Sequence, residues 1–318
     1  MSKFSPVWVS LAILAALALL VELTSGPPAP TPTPPNAFSF AVLGDAPYYF
    51  QEELQYRIVR RALDEHDLSA VIHIGDIFWR PCSDERYLQT LREFNALRHP
   101  VIYTPGDNEW ADCWERRVGG FVPRERLARL RALFFSDPAQ SLGRRPIALA
   151  SQGGEFPEHV RWRHRGVVFA TVHLIGSWNG TRAFPGRTAE DDAEVKRRTA
   201  AASAWLRETF AAARDASAVV IAFHANPFPD EPSFDNRAWQ PFLDVLAEEA
   251  ARFGKPVLVV QGDNHDFLVD RPIASAKNLT RMQVPGSPEV GWVRVVVRPD
   301  APSPFTFEKL VVPSWKYW

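Results

Sequence analysis

The chain has 318 residues, of which 46% are hydrophobic and 23% are charged, and its formal net charge is −1. At roughly 150 residues per domain this length allows two domains, although large α/β folds often use it for one. The composition supports a sizeable core and argues against bulk disorder. Basic residues form no stripe with interleaved aromatics, which argues against a nucleic-acid partner.

The N-terminal segment is apolar from Val7 to Val21, with Lys3 before the apolar run and Glu22 after it. The run is shorter than the ~20 residues that span a bilayer, and it matches the apolar part of a signal peptide, typically ~7–15 residues. Because no clean cleavage site follows, residues 1–25 predict either a cleaved signal peptide or an uncleaved signal anchor with possible membrane attachment. A buried core helix is the less favoured alternative. Either export prediction places the rest of the chain outside the cytoplasm.

A proline-rich linker follows at residues 26–36, where prolines fix the backbone and remove hydrogen-bond donors. The folded domain is predicted to occupy residues 37–318. In its first half, apolar runs predict strands at 38–43, 70–74 and 101–104. Three helices are predicted: one at 51–65, one that begins after the capping residue Ser83, and one that begins at Pro123. This β-α-β-α-β order implies a parallel sheet with right-handed crossovers.

The second half repeats this alternation more loosely. Strands are predicted at 167–173, 219–224 and 256–260, and helices from Thr188, with Asp191 completing a capping box, and at 237–253. From residue 281 onward only strands are predicted, at 291–297 and 305–312. One α/β domain with two sheets is therefore the economical interpretation.

Five predicted strands end in the same way, with an apolar run followed by Asp or His. The residues at these ends are Asp45, Asp76, Asp107, His224, and the pair Asp263 and His265. In an open α/β sheet, ligands bind beyond the carboxyl ends of the strands. A single Gly-Asp after a strand means little, because Asp is common in turns, but the series predicts a shared site. Clustered carboxylates need a cation between them, and one or two divalent metals there would activate water for phosphoryl transfer.

The ordered series resembles the calcineurin-like metallophosphoesterase superfamily over residues 38–266. Its pattern is D-x-H, then G-D, then G-N-H-[DE], then a lone His, then G-H-x-H, all in loops at strand ends. The resemblance implies two mixed β-sheets packed face to face and flanked by helices, in a four-layer α/β sandwich. It also implies two metals, with phosphomonoesters, phosphodiesters or pyrophosphates as small-molecule substrates.

The resemblance assigns roles to individual residues of this chain. Asp45 would bind one metal, Asp76 would bridge both, and the lone His is His224. Glu109 matches the final acid of the third motif, and His265 matches the second His of the last motif.

Four positions depart from the family pattern. Pro47 stands where the first motif has His, and Asp107 and Asp263 replace an Asn and a His ligand. Asn108 replaces the His that assists the leaving group, and an amide cannot donate a proton as an imidazolium can. The oxygen-rich ligand set makes Mg²⁺, Mn²⁺ or Ca²⁺ more plausible relative to Zn²⁺, with Fe also open.

These departures leave two hypotheses. The favoured one is an extracytoplasmic metal-dependent hydrolase of phosphate esters, and the alternative is a catalytically degenerate relative that binds a ligand or partner. His173, at the end of a predicted strand, is a candidate substitute acid beside Asn108 or a structural residue, with neither favoured.

The remaining notable residues carry structural predictions. Cys82 and Cys113 lie in polar loops and predict a disulfide in an oxidising compartment. His73 alternates within a strand, which favours a hydrogen-bonded core histidine. Three tryptophans lie in predicted loops: Trp79, Trp110 and Trp114. They either line a pocket or bury loop surface, and the second interpretation is favoured. Surface positions are predicted for His66, His99, His159 and His164.

Overall fold

The computed structural model describes residues 32–228 and 235–313. The predicted signal segment at residues 1–25 lies outside the described residues, as do residues 26–31 of the linker. Contacts within the chain define one compact unit that begins at Thr33. Within the described ranges, no helix is both long and apolar enough to cross a membrane.

Strands and helices alternate along most of the described chain. In chain order the strands are β1 (Phe38–Leu43), β2 (Val71–His73), β3 (Val101–Tyr103), β4 (Ala150–Ser151), β5 (Val160–His164), β6 (Val167–Thr171), β7 (Ala218–Ala222), β8 (Val257–Gln261), β9 (Leu268–Asp270), β10 (Leu279–Gln283), β11 (Gly291–Val297) and β12 (Phe305–Val311). The longer helices are α1 (Phe50–Glu65), α2 (Asp84–Ala96), α3 (Pro123–Phe134), α4 (Ala189–Ala212) and α5 (Gln240–Phe253). A 3-10 turn (Arg116–Val118) follows β3, and a short turn (Gly176–Asn179) follows β6.

The strands form two mixed sheets. The five-stranded sheet has the order β12-β11-β1-β2-β3, in which β1, β2 and β3 run parallel. The seven-stranded sheet has the order β4-β5-β6-β7-β8-β10-β9, with a parallel centre from β6 to β10. Both parallel centres direct the carboxyl ends of their strands into loops, and those loops carry the candidate site.

Side chains on successive residues of β1 show how the layers pack. Phe40 and Val42 join a cluster between the sheets, whereas Ala41 and Leu43 join a cluster with α1, α2 and α3. Helices α4 and α5 pack in the same way on the seven-stranded sheet. Because neighbouring strand residues face opposite sides, both sheets bury two faces. The predicted four-layer sandwich of two mixed sheets is confirmed.

The central elements match the predictions closely, and the edge of the second sheet does not. Ser83 accepts a hydrogen bond from the Arg86 backbone N–H at 3.3 Å, and Thr188 with Asp191 forms the predicted capping box. Strands β4, β5 and β9 were not predicted, and neither was β10, which lies between β8 and β9. In β5 the sequence Val-Arg-Trp-Arg-His places charged residues on the more exposed face, so its apolar signal is weak.

The surface prediction for three histidines is wrong. His66, His99 and His159 are all buried. The His66 Nδ1 atom lies 2.7 Å from the Ala62 carbonyl oxygen, so a backbone partner makes burial of that ring tolerable. His164 is half-buried at the end of β5. His73 is buried in its strand as predicted, but neither of its ring nitrogens has the expected hydrogen-bond partner, and burial lowers its pKa to about 3.

Candidate metal centre

Loops from both sheets bring the predicted ligands together. The residues lie at the carboxyl ends of five strands: Asp45 after β1, Asp76 after β2, Asp107 after β3, His224 after β7, and Asp263 and His265 after β8. The backbone N–H of Asp263 donates to Asp45 Oδ1 at 3.1 Å, which joins the two sheets directly.

His224 lies at the centre of this group and is fully buried. Its Nδ1 lies 3.0 Å from the carbonyl oxygen of Ile74, and because a carbonyl only accepts, Nδ1 carries a hydrogen. Its Nε2 lies 2.9 Å from Asp107 Oδ1 and 3.4 Å from Asp76 Oδ1. The Nε2 lone pair therefore points into a group of carboxylate oxygens.

Three buried atoms of this group lack hydrogen-bond partners in the structure: His224 Nε2, Asp107 Oδ1 and Asp45 Oδ2. An unpaired buried polar atom is costly, and these atoms are lone-pair donors gathered in one place. One or two divalent cations would satisfy them, so the residues present fit a metal.

The ligand atoms form two adjacent groups, in each of which the atoms lie within 4.8 Å of one another. One group is Asp45, Asp76 and His224, and the other is Asp107, His224 and Asp263. His224 belongs to both groups in this geometry, whereas the bridging role assigned to Asp76 stays a prediction. The arrangement offers places for one or two cations.

Electrostatics favour a cation as well. Burial raises the pKa values of Asp45 and Asp76, and burial with the neighbouring Asp107 charge raises that of Asp263 to about 6. Burial opposes protonation of His224, but the Asp76 carboxylate and its neighbours raise the pKa of His224 well above the ordinary value. Without a cation, protons must offset the clustered negative charge, and a bound metal removes that need.

Four of the predicted ligands have left-handed backbone conformations that residues with side chains rarely adopt. Their φ angles are 56° for Asp45, 52° for Asp76, 75° for Asp263 and 65° for His265. Such conformations each cost on the order of 1–3 kcal/mol and cluster at functional sites. These backbone conformations therefore direct the four side chains into the site.

Asp76 is held on both sides by groups of the first sheet. The Asn108 backbone N–H donates to Asp76 Oδ1 at 3.1 Å, and the Tyr48 hydroxyl donates to Asp76 Oδ2 at 2.6 Å. The same hydroxyl lies 3.5 Å from His265 Nε2. Tyr48 was not predicted from the sequence, and its only signal was its place directly after Pro47, where the first motif departs from the family.

His265 presents one ring nitrogen to the site. Its Nδ1 lies 2.7 Å from the Ser287 carbonyl oxygen, so Nδ1 carries a hydrogen. Its Nε2 lies 3.7 Å from Asp45 Oδ1. A carbonyl partner that fixes the tautomer in this way is typical of metal-binding histidines.

Glycines form part of the wall, and sequence reasoning missed two of them. A Cβ at Gly176 would lie 2.5 Å from Asp263 Oδ1 and 2.6 Å from Asp107 Oδ1, and one at Gly286 would lie 2.5 Å from the Asp45 Cβ. Any larger residue there would displace a predicted ligand. Their contacts come from distant parts of the chain, so local sequence carried no signal for them.

Ser177 extends the site behind Asp107. Its hydroxyl oxygen lies 3.0 Å from Asp107 Oδ2 and 2.9 Å from both carboxylate oxygens of Asp112. Burial and the Asp107 charge raise the pKa of Asp112 to about 7. Ser177 therefore orients Asp107 through a shared hydrogen-bond network.

The two residues predicted to be catalytic have different surroundings. Asn108 lines an open cleft together with Asp76 and His265. His173 is fully buried, with Nδ1 2.7 Å from Glu158 Oε1 and Nε2 accepting from Trp110 Nε1 at 3.2 Å. Burial lowers the pKa of His173 to about 4. Both ring nitrogens are thus engaged, and the proposed role of His173 as an acid stays a prediction.

The third-motif loop is anchored to the second-motif loop twice. Cys82 and Cys113 form the predicted disulfide, with a Cα–Cα distance of 5.8 Å. The buried Glu109 carboxylate accepts from the backbone N–H groups of Ile77 at 2.8 Å and Gly106 at 3.1 Å. Glu109 therefore connects the loops that carry Asp76 and Asp107.

Comparisons with known proteins agree with this geometry. The family model for calcineurin-like phosphoesterases matches residues 38–267. The chain belongs to this family. It is therefore a hydrolase of a family that acts on phosphate esters and typically binds divalent metals.

Among solved structures, the chain is similar to TT1561 of Thermus thermophilus, with 14% identity and a TM-score of 0.46, covering 87% of this chain and 100% of that one. It is also similar to vacuolar protein sorting 29 of Cryptosporidium parvum, with 10% identity and a TM-score of 0.33, covering 86% and 97%. No curated protein sequence matches the chain.

Proposed function

We propose that this phosphoesterase hydrolyses phosphomonoesters or phosphodiesters outside the cytoplasm. The observation that carries the hydrolytic part is the convergence of unpaired, buried lone pairs from Asp45, Asp107 and His224. Two further predicted ligands, Asp76 and His265, line an open cleft of about 540 Å³. A site that only stabilised the fold would have no need of a cleft beside its charges.

Asp45, Asp76, Asp107, His224, Asp263 and His265 would hold the cations. When bound, divalent cations supply a nucleophilic water and neutralise charge on the phosphoryl group. The chain's own contribution is orientation. Ile74 and Ser287 fix the tautomers of His224 and His265 through their carbonyl oxygens. Tyr48 holds Asp76.

Asn108 determines which esters are good substrates in this proposal. It lines the cleft, and its amide group can donate hydrogen bonds to a phosphoryl or leaving oxygen. It cannot transfer a proton at that position, so alkoxide leaving groups depart unprotonated unless solvent assists. Esters with acidic leaving groups, such as aryl phosphates, are therefore the favoured substrates.

The test combines metal content with a substrate panel. The protein is loaded separately with Mn²⁺, Mg²⁺, Ca²⁺, Fe²⁺ or Zn²⁺, and bound metal is measured by mass spectrometry. Each form is assayed on 4-nitrophenyl phosphate and bis(4-nitrophenyl) phosphate. The proposal expects turnover of at least one ester in a metal-loaded form and none after chelation.

Binding without turnover is the second candidate function, and one observation favours it. Pro47 and Asn108 both stand where family members have His. A protein that takes up metal at this site and hydrolyses neither ester in any metal form would support this candidate and contradict the first.

The extracytoplasmic location is supported by two observations. The apolar segment at residues 7–21 matches an export signal, and the disulfide between Cys82 and Cys113 suits an oxidising compartment. A reporter enzyme that is active only after export, fused at residue 36, tests the location. An inactive reporter in cells that accumulate the fusion protein would contradict it.

A further inference from the structure

The cleft beside the metal centre has an aromatic wall, made of Tyr49 and Trp79. Asp76, Asn108 and His265 line the same cleft. Asp76 is buried, Trp79 is half-buried and Tyr49 is 49% exposed. Exposure therefore increases from the carboxylates to the aromatic rings, so the aromatic wall lies nearer to solvent than the phosphoryl-binding end.

Tyr49 is one of three aromatics among the exposed large hydrophobic side chains of the described residues, with Phe50 at 75% and Trp178 at 47%. Of the three, Tyr49 lines the cleft, whereas Phe50 begins α1 and Trp178 follows Ser177. An isolated exposed hydrophobic is ordinary, but Tyr49 shares the wall of the cleft with Trp79.

The aromatic wall is held in place by its own contacts. The rings of Tyr49 and Trp79 pack edge to face, with centroids 5.5 Å apart. The guanidinium carbons of Arg80 and Arg117 lie 4.3 Å and 5.5 Å from the centroid of the Trp79 ring. Arg117 pairs with Glu115, whereas within residues 32–228 and 235–313 no acidic side chain pairs with Arg80. A fixed ring with an uncompensated cation beside it is a suitable surface for an electron-rich planar group.

We propose that the aromatic wall binds a planar aromatic ring in the leaving group of the substrate, while the phosphoryl group lies at the metal centre. This inference rests on the proposed function, because it uses the metal centre to place the phosphoryl group. The substrate class is a phosphate ester whose leaving group carries an aryl or heteroaryl ring. Selection by the ring is separate from selection by leaving-group acidity, which Asn108 controls.

A binding experiment separates the ring from the acidity. Benzylphosphonate and cyclohexylmethylphosphonate have similar size and cannot be hydrolysed, and they differ in whether the ring is aromatic. Calorimetry with the Mn²⁺-loaded full chain is expected to show about threefold to tenfold tighter binding of benzylphosphonate, which is typical of one aromatic pair. Trp79→Leu should abolish this preference, and Trp79→Phe should keep most of it.

Trp114→Leu is a matched control. Trp114 is also half-buried, stacks on Phe184 with centroids 5.9 Å apart, and lies beside Arg182 at 5.8 Å, but it does not line the cleft. It should leave the preference intact. Equal affinity of the two phosphonates in the unsubstituted protein, or equal loss of preference in both tryptophan variants, would overturn the inference. Tyr49→Leu gives a second variant if Trp79→Leu fails to fold.

Turnover distinguishes the two proposals. Benzyl phosphate and cyclohexylmethyl phosphate both release unactivated alcohols, so a rate difference between them reports the ring alone. If the protein hydrolyses esters but does not distinguish aromatic from cyclohexyl compounds in rate or binding, the role of the aromatic wall is overturned and the proposed function stands. Discrimination in phosphonate binding without turnover of any ester supports the aromatic wall and overturns the proposed function.

Discussion

The two sheets support their halves of the site by different means. The first-sheet half carries Asp45, Asp76 and Asp107, and its loops are joined by the Cys82–Cys113 disulfide and by the Glu109 carboxylate. Glu109 receives its hydrogen bonds largely from backbone N–H groups, which are present whatever the side chain. This half is therefore anchored by covalent and main-chain contacts.

The second sheet contributes a turn after β6 that depends on a buried charged side chain and contacts Asp107 through Ser177. Ser177, Trp178 and Asn179 form a turn with left-handed φ angles of 48°, 52° and 54°. The fully buried Arg198 holds this turn, donating to the Asn179 side-chain oxygen at 2.6 Å and to its carbonyl oxygen at 2.9 Å. Glu194 balances its charge at 2.9 Å. The comparison teaches that loops around one site can depend on quite different kinds of interaction.

The largest effect is expected where the two halves meet, at Asp76. Asp76→Asn should remove a ligand charge and lower metal occupancy and hydrolysis together, by more than the ~10–100-fold typical for loss of an outer partner. Asp112→Asn, which acts behind Asp107 through Ser177, is the matched control and should stay within that range. Metal content and kcat/KM report both effects. Full occupancy with full activity in Asp76→Asn would refute its assignment as a ligand.

Arg198→Met tests the second-sheet half. Removing the cation leaves Glu194 buried and uncompensated, which typically costs about 3–5 kcal/mol. The left-handed turn should also relax and displace Ser177 from Asp107. Urea unfolding of the metal-free protein measures the cost. Arg197→Met is the control, because Arg197 is exposed and pairs only with surface acids, so little change is expected. Similar midpoints for the two variants would contradict the importance of Arg198.

Replacing both cysteines tests the first-sheet half. Cys82→Ser with Cys113→Ser should lower the free energy of unfolding by about 2–4 kcal/mol. The loss of metal affinity should be smaller than in Arg198→Met, because Glu109 still joins the same loops. Unfolding with and without reductant measures the effect, and reductant should change only the unsubstituted protein. Free thiols in the exported protein would contradict the bond itself.

The sequence was sufficient for most strands of the sheet centres and for placing the six predicted ligands at strand ends, for a physical reason. Each ligand directly follows an apolar strand, so a local pattern specifies both the strand and the direction of the side chain. The order of the strands then brings these ends to one edge. The resemblance added the expectation that the two sheets pack face to face with helices on their outer sides.

The supporting residues could not be predicted because their partners are distant in sequence. Tyr48 reaches Asp76, Gly286 packs against Asp45, and Arg198 holds a turn 19 residues before it. None of these residues stands out by composition or period. The buried histidines show the same limit, since a polar residue in a charged stretch looks exposed until its partner is known.

The smallest effect concerns which half supplies a proton to the leaving group. Asn108 belongs to the first-sheet half and His173 follows a strand of the second. Because both nitrogens of His173 are engaged by Glu158 and Trp110 and burial lowers its pKa to about 4, we expect no selective role for it. His173→Gln should therefore slow alkyl and aryl phosphates by the same factor.

Asn108→His places an imidazole on the cleft, where a proton can reach the leaving oxygen. General acid catalysis is typically worth ~10²–10⁴-fold in an evolved site, and a single substitution should recover about tenfold of it. The gain should fall on alkyl esters such as benzyl phosphate and leave 4-nitrophenyl phosphate nearly unchanged, because nitrophenolate departs without a proton. The ratio of kcat/KM values for the two esters is the measurement. If the ratio shifts in His173→Gln and stays constant in Asn108→His, the proton donor lies in the second-sheet half, and His173 itself is the acid.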